Sequence, residues 1–220
     1  MQTEKTKAIA AGVMMVAAVS LLYFSLHQSP PKVEPRPAEG LGQVLAEEAA
    51  KLLGGGRVTL ITWDLTTLKN PTAELQMKSF YKAARKANLT LASTNAIKLD
   101  PLRLVRVPSG DFLEILKKQS DSDVIVSFLG PPLLNSEQRS KLGDRKPRVV
   151  ALCSGGMPRQ IDLKELFAQN LLQVGIISRP APAPEPPPSS NPRDWFDHFY
   201  QVITSANLSD LPAPTNSVSR

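Results

Sequence analysis

The sequence has one cysteine, Cys153, so it can form neither an internal disulfide nor a cysteine-built zinc site. Its two histidines, His27 and His198, lie far apart in the chain, which argues against a histidine-rich metal centre. No cofactor is expected. Aromatic residues make up only 5%, too few for a base-stacking platform, so nucleic acid is disfavoured as a partner. Proline, in contrast, is plentiful: 11 of the 20 prolines fall within residues 30–37 and 180–192. An apolar content of 42% supports a folded core rather than global disorder. A length of 220 residues suits one ordinary domain with appendages.

The longest apolar run is Ala8 to Leu26, which contains no charge. As a helix rising ~1.5 Å per residue it would span about 28 Å, close to the hydrocarbon thickness of a bilayer. Tyr23 and Phe24 sit near one end, where rings favour the interface. Lys5 and Lys7 precede the run, which favours a cytoplasmic N-terminus and an extracytoplasmic remainder. The sequence therefore predicts a single-pass membrane anchor with a periplasmic or otherwise extracytoplasmic domain. A cleaved signal peptide is the competing reading, but Ser25-Leu26-His27-Gln28 offers no small-x-small site after the run. A buried core helix is a third.

Pro30, Pro31, Pro35 and Pro37 cannot support a helix interior or a central strand. They predict an extended, semi-rigid spacer. Leu41 to Leu53 then has helical spacing and ends at Gly54-Gly55-Gly56. Beyond it, strand and helix patterns alternate. Strands are expected at Val58–Trp63, Leu89–Ser93, Val124–Leu129, Arg148–Leu152 and Leu172–Ile177. Helices are expected at Thr72–Ala87, Ser109–Lys118 (with Ser109 as N-cap), Ser136–Leu142 and Asp162–Ala168. Five short Val/Ile/Leu-rich strands between helices imply an α/β fold: a doubly wound, mainly parallel five-stranded sheet covered on both faces. Pro192 to Ser205 reads as a C-terminal amphipathic helix. The expected organisation is an anchor (1–27), a proline-rich spacer (28–40), an α/β domain (41–179), a proline-rich linker (180–192), and an amphipathic helix with its tail (193–220).

Val58–Trp63, Asn70-Pro71, the alanine-rich helix end Tyr81-Lys82-Ala83-Ala84-Arg85-Lys86-Ala87, Leu89-Thr90-Leu91 and Asp123-Val124-Ile125-Val126-Ser127 together resemble the N-terminal lobe of type I, sugar-type periplasmic binding proteins. The resemblance covers about residues 57–130. It implies a binding lobe and, in that family, closure of two lobes on a ligand. The α/β segment here suffices for one lobe. Thr72 and Ala73 stand where the family often carries sugar-stacking aromatics. A lone lobe could bind a partner protein, self-associate, or bind a small molecule weakly.

Ligands of open parallel sheets gather beyond the carboxyl ends of the strands. The candidate residues there are Asp64, Thr66, Asn95, Gly130, Ser154 and Gly155. Asp64 and Asn95 would hydrogen-bond hydroxyls, and Gly155-Gly156 would let backbone N–H groups approach an anion. Each is also an ordinary turn former. Cys153-Ser154 invites a nucleophile reading, but no ordered base is evident, so catalysis is not expected. No glycine follows the first strand, which excludes a dinucleotide or P-loop fingerprint. Asp121 and Asp123 read as strand-entry residues at the opposite edge. Residues 57–179 carry 19 Lys+Arg against 11 Asp+Glu, a net charge of +8 dispersed over helices. Trp195, Phe196, Phe199 and Tyr200 form the apolar face of the tail helix and are candidate partner contacts, unless that face docks on its own domain. The leading expectation is a membrane-anchored, extracytoplasmic, non-catalytic binding or scaffolding protein. The alternatives are a sugar-type receptor lobe and, less favoured, a Cys/Ser hydrolase.

Overall fold

The computed structural model describes residues 14–23, 34–53, 56–66, 70–98, 106–143, 145, 147–180, 182 and 185–211. They belong to two compact units, Met1–Val33 and Glu34–Arg220. In the first, residues 14–23 form a helix and all are exposed. No helix among the described residues is long and apolar enough to cross a membrane. The expected span Ala8–Leu26 lies partly outside the described residues, as does the first half of the expected spacer.

The second unit alternates helix and strand: α1 (Arg36–Leu52), β1 (Val58–Trp63), α2 (Pro71–Lys86), β2 (Leu91–Ile97), α3 (Ser109–Lys118), β3 (Val124–Ser127) and α4 (Ser136–Ser140) come first. Then follow β4 (Arg148–Leu152), α5 (Met157–Gln160), α6 (Leu163–Ala168), β5 (Val174–Ser178), α7 (Pro192–Phe199), β6 (Tyr200–Ile203) and a 3-10 helix, Ser205–Asp210. The strands make one sheet in the order β2-β1-β3-β4-β5-β6. The pairs from β2 to β5 are parallel, and β6 is antiparallel to β5. The doubly wound sheet is as expected, with six strands rather than five. The order reverses between β1 and β3, which is where such sheets open a crevice.

Strands β1, β3, β4 and β5 are buried on both faces, so they read as near-continuous apolar runs. One face packs Leu41, Val44 and Leu45 of α1 and Phe80 of α2 onto Leu60, Val126 and Val150. The other packs Phe112 and Leu116 of α3 and Phe167 of α6 onto Ile61, Ile125 and Ala151. Phe80 and Phe112 are fully buried, and each such burial stabilises by roughly 2–3 kcal/mol. Gly42 permits the close approach of α1 and α2, because a Cβ there would collide with the carbonyl oxygen of Gln76.

Several boundaries differ from expectation. Helix α1 starts at Arg36, inside the expected spacer, with Pro35 as its N-cap residue and Pro37 in its first turn, where no backbone donor is needed. The second strand starts at Leu91, not Leu89. Asn88 adopts φ +54°, and the Leu89 N–H returns to the Ala84 carbonyl at 2.9 Å, so Leu89 closes α2 instead. Pro108, not Ser109, is the N-cap residue of α3, and the Ser109 hydroxyl accepts a hydrogen bond from Gln138 Nε2 at 3.1 Å. The tail helix ends at Phe199, and Tyr200–Ile203 form a strand. A short alternation of aromatic and β-branched residues fits either period until a partner strand is present.

Candidate functional site

The carboxyl ends of β1, β3 and β4 border a cleft of about 350 Å³. Trp63, the last residue of β1, forms one wall. It is half-buried, and its ring lies 6.1 Å from that of Phe128. Phe128 carries the ladder past β3, donating its N–H to Ile61 O at 2.9 Å, and its ring rests edge-on against Phe80. Leu129 and Leu152 complete the apolar floor. The rim holds Arg106, Ser154, Met157 and Gln160. Among the described residues, Arg106 is the sole charged residue of the lining, and neither its side chain nor that of Gln160 has a hydrogen-bond or ion-pair partner. An aromatic wall, one guanidinium, a hydroxyl and an amide can hold a small polar molecule by stacking and hydrogen bonding.

The six candidate ligand residues have separate fates. Ser154 lines the cleft. Gly130, not part of the lining, follows Leu129 at φ +95°, a backbone conformation that calls for glycine, while a Cβ there would meet only the movable end of the Met157 side chain. Gly155 adopts φ +69°, and its N–H already donates to the Ser178 hydroxyl at 3.3 Å, so this half of the expected Gly155-Gly156 nest is engaged within the fold. Asp64 follows β1 as expected. Its carboxylate accepts the hydroxyl and the N–H of Thr66, and these bonds, helped by Lys98, hold it below the usual carboxylate range. Asp64 and Thr66 thus form a local turn and are not part of the cleft lining. Asn95 is a correction too: it lies within β2, opposite Ile61, and not beyond the strand's end. The residues that sequence reasoning missed are Trp63, Arg106 and Gln160. Trp63 looked like a buried strand end. Gln160 ends a four-residue helix that only Pro158 announces.

Cys153 is fully buried, and burial pushes its thiol well above its usual range. Its Sγ lies 3.7 Å from Ala151 O. A protonated, enclosed thiol is a poor nucleophile. At the amino edge, Asp123 is 4% exposed. Burial would raise its pKa, but the N–H groups of Arg57 (2.8 Å) and Ser120 (3.1 Å) outweigh that and hold it below the usual range.

The expected partner aromatics are used inside the fold. Trp195 and Phe196 are buried, and Phe199 and Tyr200 are half-buried. Trp195 Nε1 donates to Ser189 O at 2.7 Å, and the Arg36 guanidinium covers its ring at 4.3 Å. Arg193 binds Glu47 of α1 at 2.8 Å. Helix α7 therefore docks on α1 of its own domain. Burial raises the Tyr200 phenol. A larger groove, about 730 Å³, runs between α1 and α2. It is walled by Glu39 and Glu47 on one side and by Lys78, Lys82 and Lys86 on the other, all away from the strand ends. Of these, Glu47 is already engaged by Arg193 and Gln43.

No protein-family profile matches the sequence, and no curated protein matches it. Solved structures do. An arabinose-binding protein of Geobacillus stearothermophilus is similar over 80% of this chain and 63% of its own, at 15% identity and a TM-score of 0.52. The fructose-binding periplasmic domain of a hybrid two-component system is similar over 77% and 57%, at 13% identity and a TM-score of 0.50. A carbohydrate transporter solute-binding protein from Agrobacterium radiobacter, in complex with D-arabinose, reaches 0.49 at 13% identity, over 79% and 61%. The chain resembles a single lobe of a type I periplasmic binding protein. It spans less than two thirds of each of these structures. At such identities the likeness is one of fold.

Proposed function

We propose that the protein is a non-catalytic, extracytoplasmic binding lobe, anchored by Ala8–Leu26, that takes a small hydroxylated molecule at the carboxyl ends of β1, β3 and β4. The observation that carries the reading is the cleft itself. Trp63 offers a ring face for an apolar sugar surface, while Arg106, Ser154 and Gln160 offer donors and acceptors for hydroxyls. The names of the arabinose- and fructose-binding structures support a sugar as the class of ligand. The buried, protonated Cys153 supports binding without catalysis. The uncharged run and its preceding lysines support the anchor and the orientation.

Thermal-shift screening of the full chain in detergent against pentoses, hexoses and nucleosides tests the binding reading. A ligand raises the melting temperature by mass action, and Trp63→Ala and Arg106→Gln each abolish the rise while Asp64→Ala keeps it. No response across the panel, or loss of the response in Asp64→Ala alone, would contradict the site. Protease added to intact cells should digest the domain. Digestion only after lysis would reverse the orientation.

A further inference from the structure

Among the described residues, strand β2 ends the sheet on one side and pairs only with β1. Leu91 to Thr94 and Ala96 are exposed, while Asn95 and Ile97 are half-buried, Ile97 packing against the core. The opposite edge is closed. There β6 is four residues long, Asn207 Nδ2 donates to Val202 O at 3.0 Å, and Arg179 Nε donates to Tyr200 O at 3.1 Å. Leu91-Ala92-Ser93-Thr94-Asn95-Ala96-Ile97 contains neither charge nor proline, two of the usual protections of an edge. One irregularity, at Ala92, lies near its start.

We propose that β2 pairs antiparallel with β2 of a second copy of this chain, about a two-fold axis through Thr94. The sequence of the strand is self-complementary about that residue. In the regular stretch Ser93 falls opposite Asn95 and Thr94 opposite itself, while Leu91 and Ala92, the counterparts of Ile97 and Ala96, flank the irregularity before Ser93. Polar meets polar across the regular centre of the strand. The backbone direction agrees. Asp64 N–H donates to Ile97 O at 3.0 Å, so the groups of Ile97 face β1, and by alternation so do those of Asn95. The N–H and C=O of Thr94 and Ala96 therefore face outward. A pair centred on Thr94 places two such residues directly opposite, where they exchange both hydrogen bonds. The two copies of Lys98, the charge next to the strand, lie at opposite ends of the ribbon and do not oppose each other. Because β6 is closed, the pairing gives a closed twelve-stranded dimer and not a fibre.

Cross-linking of the full chain in detergent micelles tests this. Cys153 is buried, so Thr94→Cys supplies the reactive thiol. Copper–phenanthroline oxidation should give a covalent dimer that dithiothreitol reverses, while Lys82→Cys on α2 remains uncross-linked. Thr94→Lys changes an exposed side chain and sets like charges on the axis. It should weaken the dimer about tenfold or more by sedimentation, with unchanged circular dichroism. A monomeric wild-type chain would overturn the proposal, as would absence of the Thr94→Cys dimer because residues 99–105 or another protein cover the edge. So would a ladder of higher multimers, or a dimer that survives Thr94→Lys.

Discussion

The two ends of the parallel strands are built from the same chain yet treat their polar groups differently. At the amino end the buried Asp123 is occupied by the N–H groups of Arg57 and Ser120. Arg148 Nη1 reaches Leu52 O at 2.8 Å, and the Val149 N–H donates to Gln173 Oε1. These groups are paired within the fold. At the carboxyl end Arg106 and Gln160 face a cleft and have no partner among the described residues. A charge at the rim without a partner among the described residues is available to a ligand, whereas one saturated by backbone donors is part of the frame.

The difference can be broken from either end. The largest effect is expected at the amino end. Asp123→Ala strands two backbone donors and should cost about 2–3 kcal/mol, read by urea denaturation. The folded pKa of Asp123 is depressed, so its contribution is present above the unfolded carboxylate range and is lost as the pH falls through the folded value. The acid limb of stability should therefore flatten in the variant. At the carboxyl end, Gly130→Ala forces a Cβ onto a backbone of positive φ and should cost about 1–2 kcal/mol. Arg106→Gln should shift stability by no more than about 0.5 kcal/mol, because the side chain is exposed, yet lose the ligand response. The smallest effect is expected at Cys153, which maleimide should leave unmodified until the chain is unfolded.

Much of the frame could be read from the sequence because it rests on local signals. Arg148–Leu152 and Ser109–Lys118 have the expected bounds. Asn135 caps α4 with a reciprocal capping box to Gln138, and Asp162 caps α6. The site was only partly legible. Ser154 and Gly130 could be placed because they follow strands directly. Asp64 could be placed too, but not the fact that Thr66 occupies it. Asn95 was misplaced because the turn at Asn88 and Leu89 delays β2 by two residues. Trp63 and Arg106 meet only after the sheet orders its strands, and no short-range spacing encodes that meeting. The same holds for β6: Tyr200 to Ile203 satisfy a helical wheel until β5 provides a ladder.

Hydrogen exchange of the full chain, with and without the sugar that gives the largest thermal shift, tests the binding account most directly. Added protection is expected in peptides covering residues 128–130 and 154–161, with residues 120–123 unchanged. Protection at the amino end, or none at the carboxyl end, would contradict it.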